Sequence, residues 1–128
     1  MRKLWSAAAL SAVWLAGCQT APPTSAGPLI DGPIPAKNAR WAAHPDGPQL
    51  AAVYPAHAQH LHLGGQSRIR CQVLPSGKLI GCVLVSESPP GEGFGHAELQ
   101  LAPFFQLAPA NFGPNATVEV PVRWQLRN

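Results

Sequence analysis

The chain has 128 residues, nine Lys and Arg against six Asp and Glu, and a formal net charge of +3. Two of the basic residues, Arg2 and Lys3, stand in an N-terminal export-signal pattern, and removing it leaves about +1. The rest carries no basic patch, so nothing argues for a nucleic-acid partner, and about 111 residues from Cys18 to Asn128 allow one small domain.

Residues 1–17 read as a signal peptide. Arg2 and Lys3 form the basic part, and Leu4 to Ala16 is apolar but too short for a membrane span of about 20 residues. Leu15-Ala16-Gly17-Cys18 resembles the lipobox of bacterial lipoproteins. That resemblance implies acylation of the Cys18 sulfur and a stable lipid anchor in the membrane, with the protein facing the periplasm. The competing reading is an ordinary cleaved signal with a chance cysteine. Gln19, where inner-membrane sorting uses Asp, favours the outer membrane by analogy with enterobacterial lipoproteins.

Residues 18–48 are rich in Pro, Ala, Gly and Ser, with little hydrophobic period. They read as a tether, partly polyproline II. Trp41 is unusual in a tether and is expected either to pack back on the domain or to sit in a loop. The domain, residues 49–128, opens with a short helical turn at 50–54. A helix follows at 55–63, with Pro55 at its first position and Gly64-Gly65 at its end.

Residues 68–85, RIRCQVLPSGKLIGCVLV, read as a β-hairpin. Ile69, Cys71 and Val73 alternate with polar neighbours, and Pro75-Ser76-Gly77 supplies the turn. If Leu74 faces Leu79, then Cys71 faces Cys82. Opposed residues at a non-hydrogen-bonded pair have Cα atoms about 4.5 Å apart, within disulfide range. The spacing permits a cross-strand disulfide, and an oxidising periplasm favours it. Two reduced core cysteines are the alternative.

Residues 86–95, SESPPGEGFG, read as a loop, and 96–105 as a second helix with Ala97, Leu101 and Phe105 on one side. Pro103 is expected to end or bend that helix. After a turn at 111–115, residues 117–126 form the clearest strand. Val118, Val120, Val122, Trp124 and Leu126 share one face; Thr117, Glu119, Pro121, Arg123 and Gln125 share the other. Pro121 cannot donate to a ladder, which puts this strand at a sheet edge.

The order helix, strand, strand, helix, strand is an α+β fold. Tyr54-Pro55 with Ala58 and Gly65 behind it, the hairpin with Gly77 in its turn, Phe94, Ala97 and Leu101, then Pro109, Gly113-Pro114 and Val120-Pro121-Val122-Arg123-Trp124 together resemble the TonB C-terminal domain family. The resemblance covers about residues 41 to 127. It implies two helices packed on a three-stranded antiparallel sheet. It also implies a non-enzymatic protein-binding module without cofactors, which adds a segment of an outer-membrane TonB-dependent receptor to its sheet edge during transmembrane transport. Carried over, the partner-binding edge comprises Thr117, Val118, Glu119, Val120, Pro121, Val122, Arg123, Trp124 and Gln125. Two departures stand out: a lipobox replaces the family's transmembrane helix, and Phe104 to Leu107 lack basic residues that many relatives carry.

Two rival readings follow from the residues. His57, His60 and His62, in HAQHLH, are a metal patch in outline, but no acidic or thiol ligand lies beside them in sequence, so solvated histidines are expected. Glu87, Glu92 and Glu98 are expected as solvated surface rather than an acid/base pair, and Ser76 and Ser86 have no nucleophile context. The other rival is an envelope lipoprotein acting as a scaffold or assembly factor, which touches another envelope protein through the same edge.

Overall fold

The computed structural model describes residues 27–126; the signal segment and Cys18 lie outside the described residues. The turn at Pro75-Ser76-Gly77 builds the centre of the fold. Gly77 takes φ +89°, the Leu74 N–H donates to the Lys78 carbonyl at 2.9 Å, and the Gly77 N–H donates to the Leu74 carbonyl at 2.7 Å. Three loop residues with glycine left-handed at the third is a favoured hairpin connection. A Cβ on Gly77 would also fall 1.8 Å from the Leu107 carbonyl oxygen, so the position admits only glycine twice over.

The hairpin joins β3 (Gly65–Val73) to β4 (Leu79–Ser88). Their register differs from the expected one. Val73, not Leu74, opposes Leu79, and two irregularities then interrupt the ladder. Gly81 at φ +59° marks the first, which inserts a residue so that Cys71 still meets Cys82. The disulfide is formed, with an S–S distance of 2.03 Å and Cα atoms 4.1 Å apart. The second irregularity lies between the pairs Ile69–Leu84 and Arg68–Ser86, and β4 runs on to Ser88 through residues expected as loop.

On its other side β3 pairs antiparallel with β6 (Thr117–Trp124). β1 (Pro33–Ile34) pairs parallel to β6 at Thr117 and Val118, giving the order β1-β6-β3-β4. The sheet therefore has four strands rather than three. The added strand comes from residues expected to be tether: composition disfavoured folding alone, but not folding against a finished edge. A separate two-stranded ribbon joins β2 (Trp41–Ala43) to β5 (Gln106–Leu107). Trp41 packs back on the body, its ring 5.4 Å from that of Phe105.

Three α-helices cover one face, rather than two. α1 (Gly47–Val53) begins at a capping box in which the Asp46 side chain accepts from the Gln49 N–H at 2.8 Å and Gln49 Oε1 accepts from the Asp46 N–H at 3.0 Å. Pro55 is the N-cap of α2 (Ala56–His60), not its first helical residue. α3 (Phe94–Leu101) starts two residues before the expected site, and a 3-10 turn at Ala102–Phe104 ends it around Pro103. The Glu87 carboxylate accepts the Gly95 N–H at 2.8 Å, which satisfies an open donor of the first turn.

The core lies between these helices and the inward face of the sheet. Tyr54, Phe94 and Trp124 form its aromatic centre, with centroids 5.6–5.8 Å apart. The Tyr54 hydroxyl donates to the Leu63 carbonyl, and the Trp124 indole N–H donates to the Ser67 hydroxyl at 2.8 Å. Among the described residues no helix is long and apolar enough to cross a membrane.

Candidate partner-binding edge

The outer side of β6 is divided. Its Thr117 N–H points away from β3 and donates to the Gly32 carbonyl at 3.0 Å. Main-chain groups alternate along an antiparallel pair, so Glu119, Pro121 and Arg123 also turn theirs outward. Pro121, which has no N–H, therefore removes nothing from the ladder with β3. Residues 30–34 cover the first part of this edge. Asp31 Oδ1 accepts the Asn115 N–H at 2.7 Å, the Ile30 N–H donates to the Asn111 carbonyl at 2.8 Å, and the Gly113 N–H donates to the Ile30 carbonyl at 2.7 Å. Beyond Val118 no strand pairs with β6 on this side among the described residues. The expected edge is thus open from about Pro121 onward and closed at Thr117 and Val118.

The side chains divide as the alternation requires. Val118, Val120 and Trp124 are buried and Val122 is half-buried, so they build the core rather than a partner surface. Pro121, Arg123 and Gln125 are exposed, with Glu119 half-exposed. Across the outward face of the sheet, Glu119 bridges Arg70 at 3.2 Å and Arg68 at 3.6 Å. Arg123 makes no ion pair among the described residues, which leaves this face with a surplus of positive charge. On the inward side, a groove of about 710 Å³ separates the end of β6 from α1 and is lined by Pro48, Leu50, Ala51, Tyr54, Arg123 and Leu126.

The other expected residues are structural. Tyr54 anchors the aromatic centre, Pro55 caps α2, and a Cβ on Gly65 would fall 2.5 Å from the Phe94 ring. Cys71 is buried and bonded to Cys82 beneath α3.

Two glutamates differ from expectation. Glu87 holds the start of α3, and Glu98 is completely buried rather than on a polar helix face. Because α3 starts at Phe94, the buried stripe is Phe94, Ala97, Glu98 and Leu101, spaced i, i+3, i+4 and i+7. A stripe counted from Ala97 through Phe105 passes over Glu98. Neither Glu98 carboxylate oxygen has a hydrogen-bond partner. Burial pushes its pKa up to about 7, against smaller opposing effects of the Ser67 hydroxyl and the Arg68 charge. Glu92 pairs with His57 at 2.8 Å. No group of three or more His, Cys, Asp and Glu among the described residues is placed to hold a metal.

The groove and α1 were missing from the sequence reading. Asp46-Gly47-Pro48-Gln49 is the signal that finds them: a capping residue, proline in the first turn, and glutamine at the third position. Set against protein-family models and against curated proteins, the chain matches none of them.

Proposed function

We propose that this chain is a periplasm-facing, lipid-anchored protein-binding module of the TonB C-terminal type. It pairs β6 with an extended segment of an outer-membrane receptor in TonB-dependent transport, without enzymatic chemistry. The open outer side of β6 from Pro121 to Trp124, on an antiparallel sheet backed by helices, carries this reading. Outward main-chain groups give affinity for any extended segment, and neighbouring side chains select among segments. The Tyr54-Pro55, Gly65 and Gly77 motif supports the reading because each residue has a local task in holding that sheet to its helices.

A second reading has its own support. β4 is the opposite edge of the sheet, and Val83, Leu84 and Val85 on it are 40–53% exposed. An envelope scaffold would use such a surface to hold a partner without force transmission. A photo-crosslinker at Gln125, in the lipidated protein in cells, separates the two. Adducts to the N-terminal segment of a TonB-dependent receptor support the first reading. Adducts only to other envelope proteins support the scaffold.

A further inference from the structure

We propose that the open half of β6 selects an extended segment whose side chains alternate between acidic and apolar. The acidic ones lie over Arg123 and Arg68, and the apolar ones enter the groove beside α1. This rests on strand addition at β6 and names the chemistry of the added strand.

Successive side chains of a strand point to opposite sides of its sheet. A segment laid beside Pro121–Gln125 therefore offers one set to the outward face and the other to the groove. The two surroundings differ sharply. Outward, Arg123 neighbours Pro121 on β6, and the register sets Arg68 directly opposite Pro121. Three arginines share this face with Glu119 alone, and Glu119 is already engaged by Arg68 and Arg70. A lysine or arginine on the incoming strand meets like charge there, whereas an aspartate or glutamate finds Arg123 without an ion pair among the described residues. Inward, the groove wall is Pro48, Leu50, Ala51, Tyr54 and Leu126, which offers carbon surface to every other residue.

The backbone makes this selection matter. Pro121 offers a carbonyl but no N–H, so the ladder on the open half is short. With few main-chain bonds available, affinity depends more on the side-chain pattern than it would along a full edge.

The test uses the mature chain with Cys18→Ser, to keep it soluble, and three short labelled peptides. One alternates Asp with Val, one Lys with Val, and one Asp with Ser. Fluorescence anisotropy gives affinities, and ¹⁵N shifts of Arg123 and Gln125 report the location. The Asp/Val peptide is expected to bind roughly tenfold tighter than either other peptide at low salt, with the advantage over Lys/Val shrinking as salt rises. Arg123→Glu, an exposed substitution whose folding is checked by circular dichroism, is expected to reverse the order of the Asp/Val and Lys/Val peptides. If Lys/Val or Asp/Ser binds as well as Asp/Val while moving the same β6 amides, the alternation proposal falls and strand addition stands. If no peptide moves those amides, strand addition at this edge falls and the alternation proposal with it.

Discussion

Asp31 Oδ1 accepts the backbone N–H of Asn115 at 2.7 Å, and this contact fastens the segment that leads into β1 beside the start of β6. The first part of the β6 edge is closed by the chain's own N-terminal arm, and the accessible edge begins after it. Asp31→Ala removes the side-chain acceptor and leaves the main-chain pairing. The stability loss is expected to be about 1 kcal/mol or less. Amide exchange at Thr117, whose N–H is bonded to Gly32, is expected to quicken, while exchange at Ile69 in the sheet centre stays as it was.

Glu98 gives the protein a pH dependence of definite sign. Its folded-state pKa of about 7 lies above the ordinary 4.5, so the folded state binds the extra proton between those values. Stability therefore rises as pH falls through this window, and the burial cost is fully felt above it. Urea unfolding is expected to give a fold more stable at pH 5 than at pH 8 by about 2–3 kcal/mol from this group. Glu98→Gln is expected to remove most of the difference and to raise stability at pH 8. A variant with the same pH profile as the parent contradicts the assignment.

The two faces of β6 respond differently to substitution. Val120 is 2% exposed and sits opposite Ile69 in the register, so Val120→Asp places a carboxylate in the core. A loss of about 3 kcal/mol or more is expected, or failure to fold. Glu119→Lys replaces an exposed pairing with like charge beside Arg68 and Arg70, and the expected change is under about 1 kcal/mol. Urea midpoints of the two variants, measured side by side, check this.

The disulfide closes a short loop through the hairpin, with a sequence separation of 11. Protein purified without reductant is expected to leave Cys71 and Cys82 unlabelled by a thiol reagent. Replacing both with Ala is expected to cost about 2–3 kcal/mol in the chain-entropy picture while the fold survives. Full labelling of both cysteines before reduction contradicts the bond.

The central strands were legible in the sequence because their signals are local. Val118, Val120 and Trp124 alternate with polar residues, and Pro75-Ser76-Gly77 fixes a turn. The cysteine partnership emerged from a register that was off by one residue, because nothing in Leu79 to Val85 announces that Gly81 will go left-handed and restore it. β1 was not legible: Pro33 and Ile34 carry no strand period, and their pairing exists only because β6 offers an edge. The burial of Glu98 was obscured by the two-residue error in the start of α3, which moved the apparent stripe around the helix. Within the candidate site, outward Pro121, Arg123 and Gln125 came from alternation alone. The groove required α1, whose residues meet β6 only in the folded chain.

The most direct test of strand addition is amide hydrogen exchange of the mature chain with and without saturating Asp/Val peptide. An added strand bonds the outward N–H of Arg123. Exchange at Arg123 is expected to slow at least roughly tenfold, with Val83 and Leu84 on β4 unchanged. Unchanged exchange at Arg123 with peptide bound, or protection confined to β4, would contradict docking at the open half of β6.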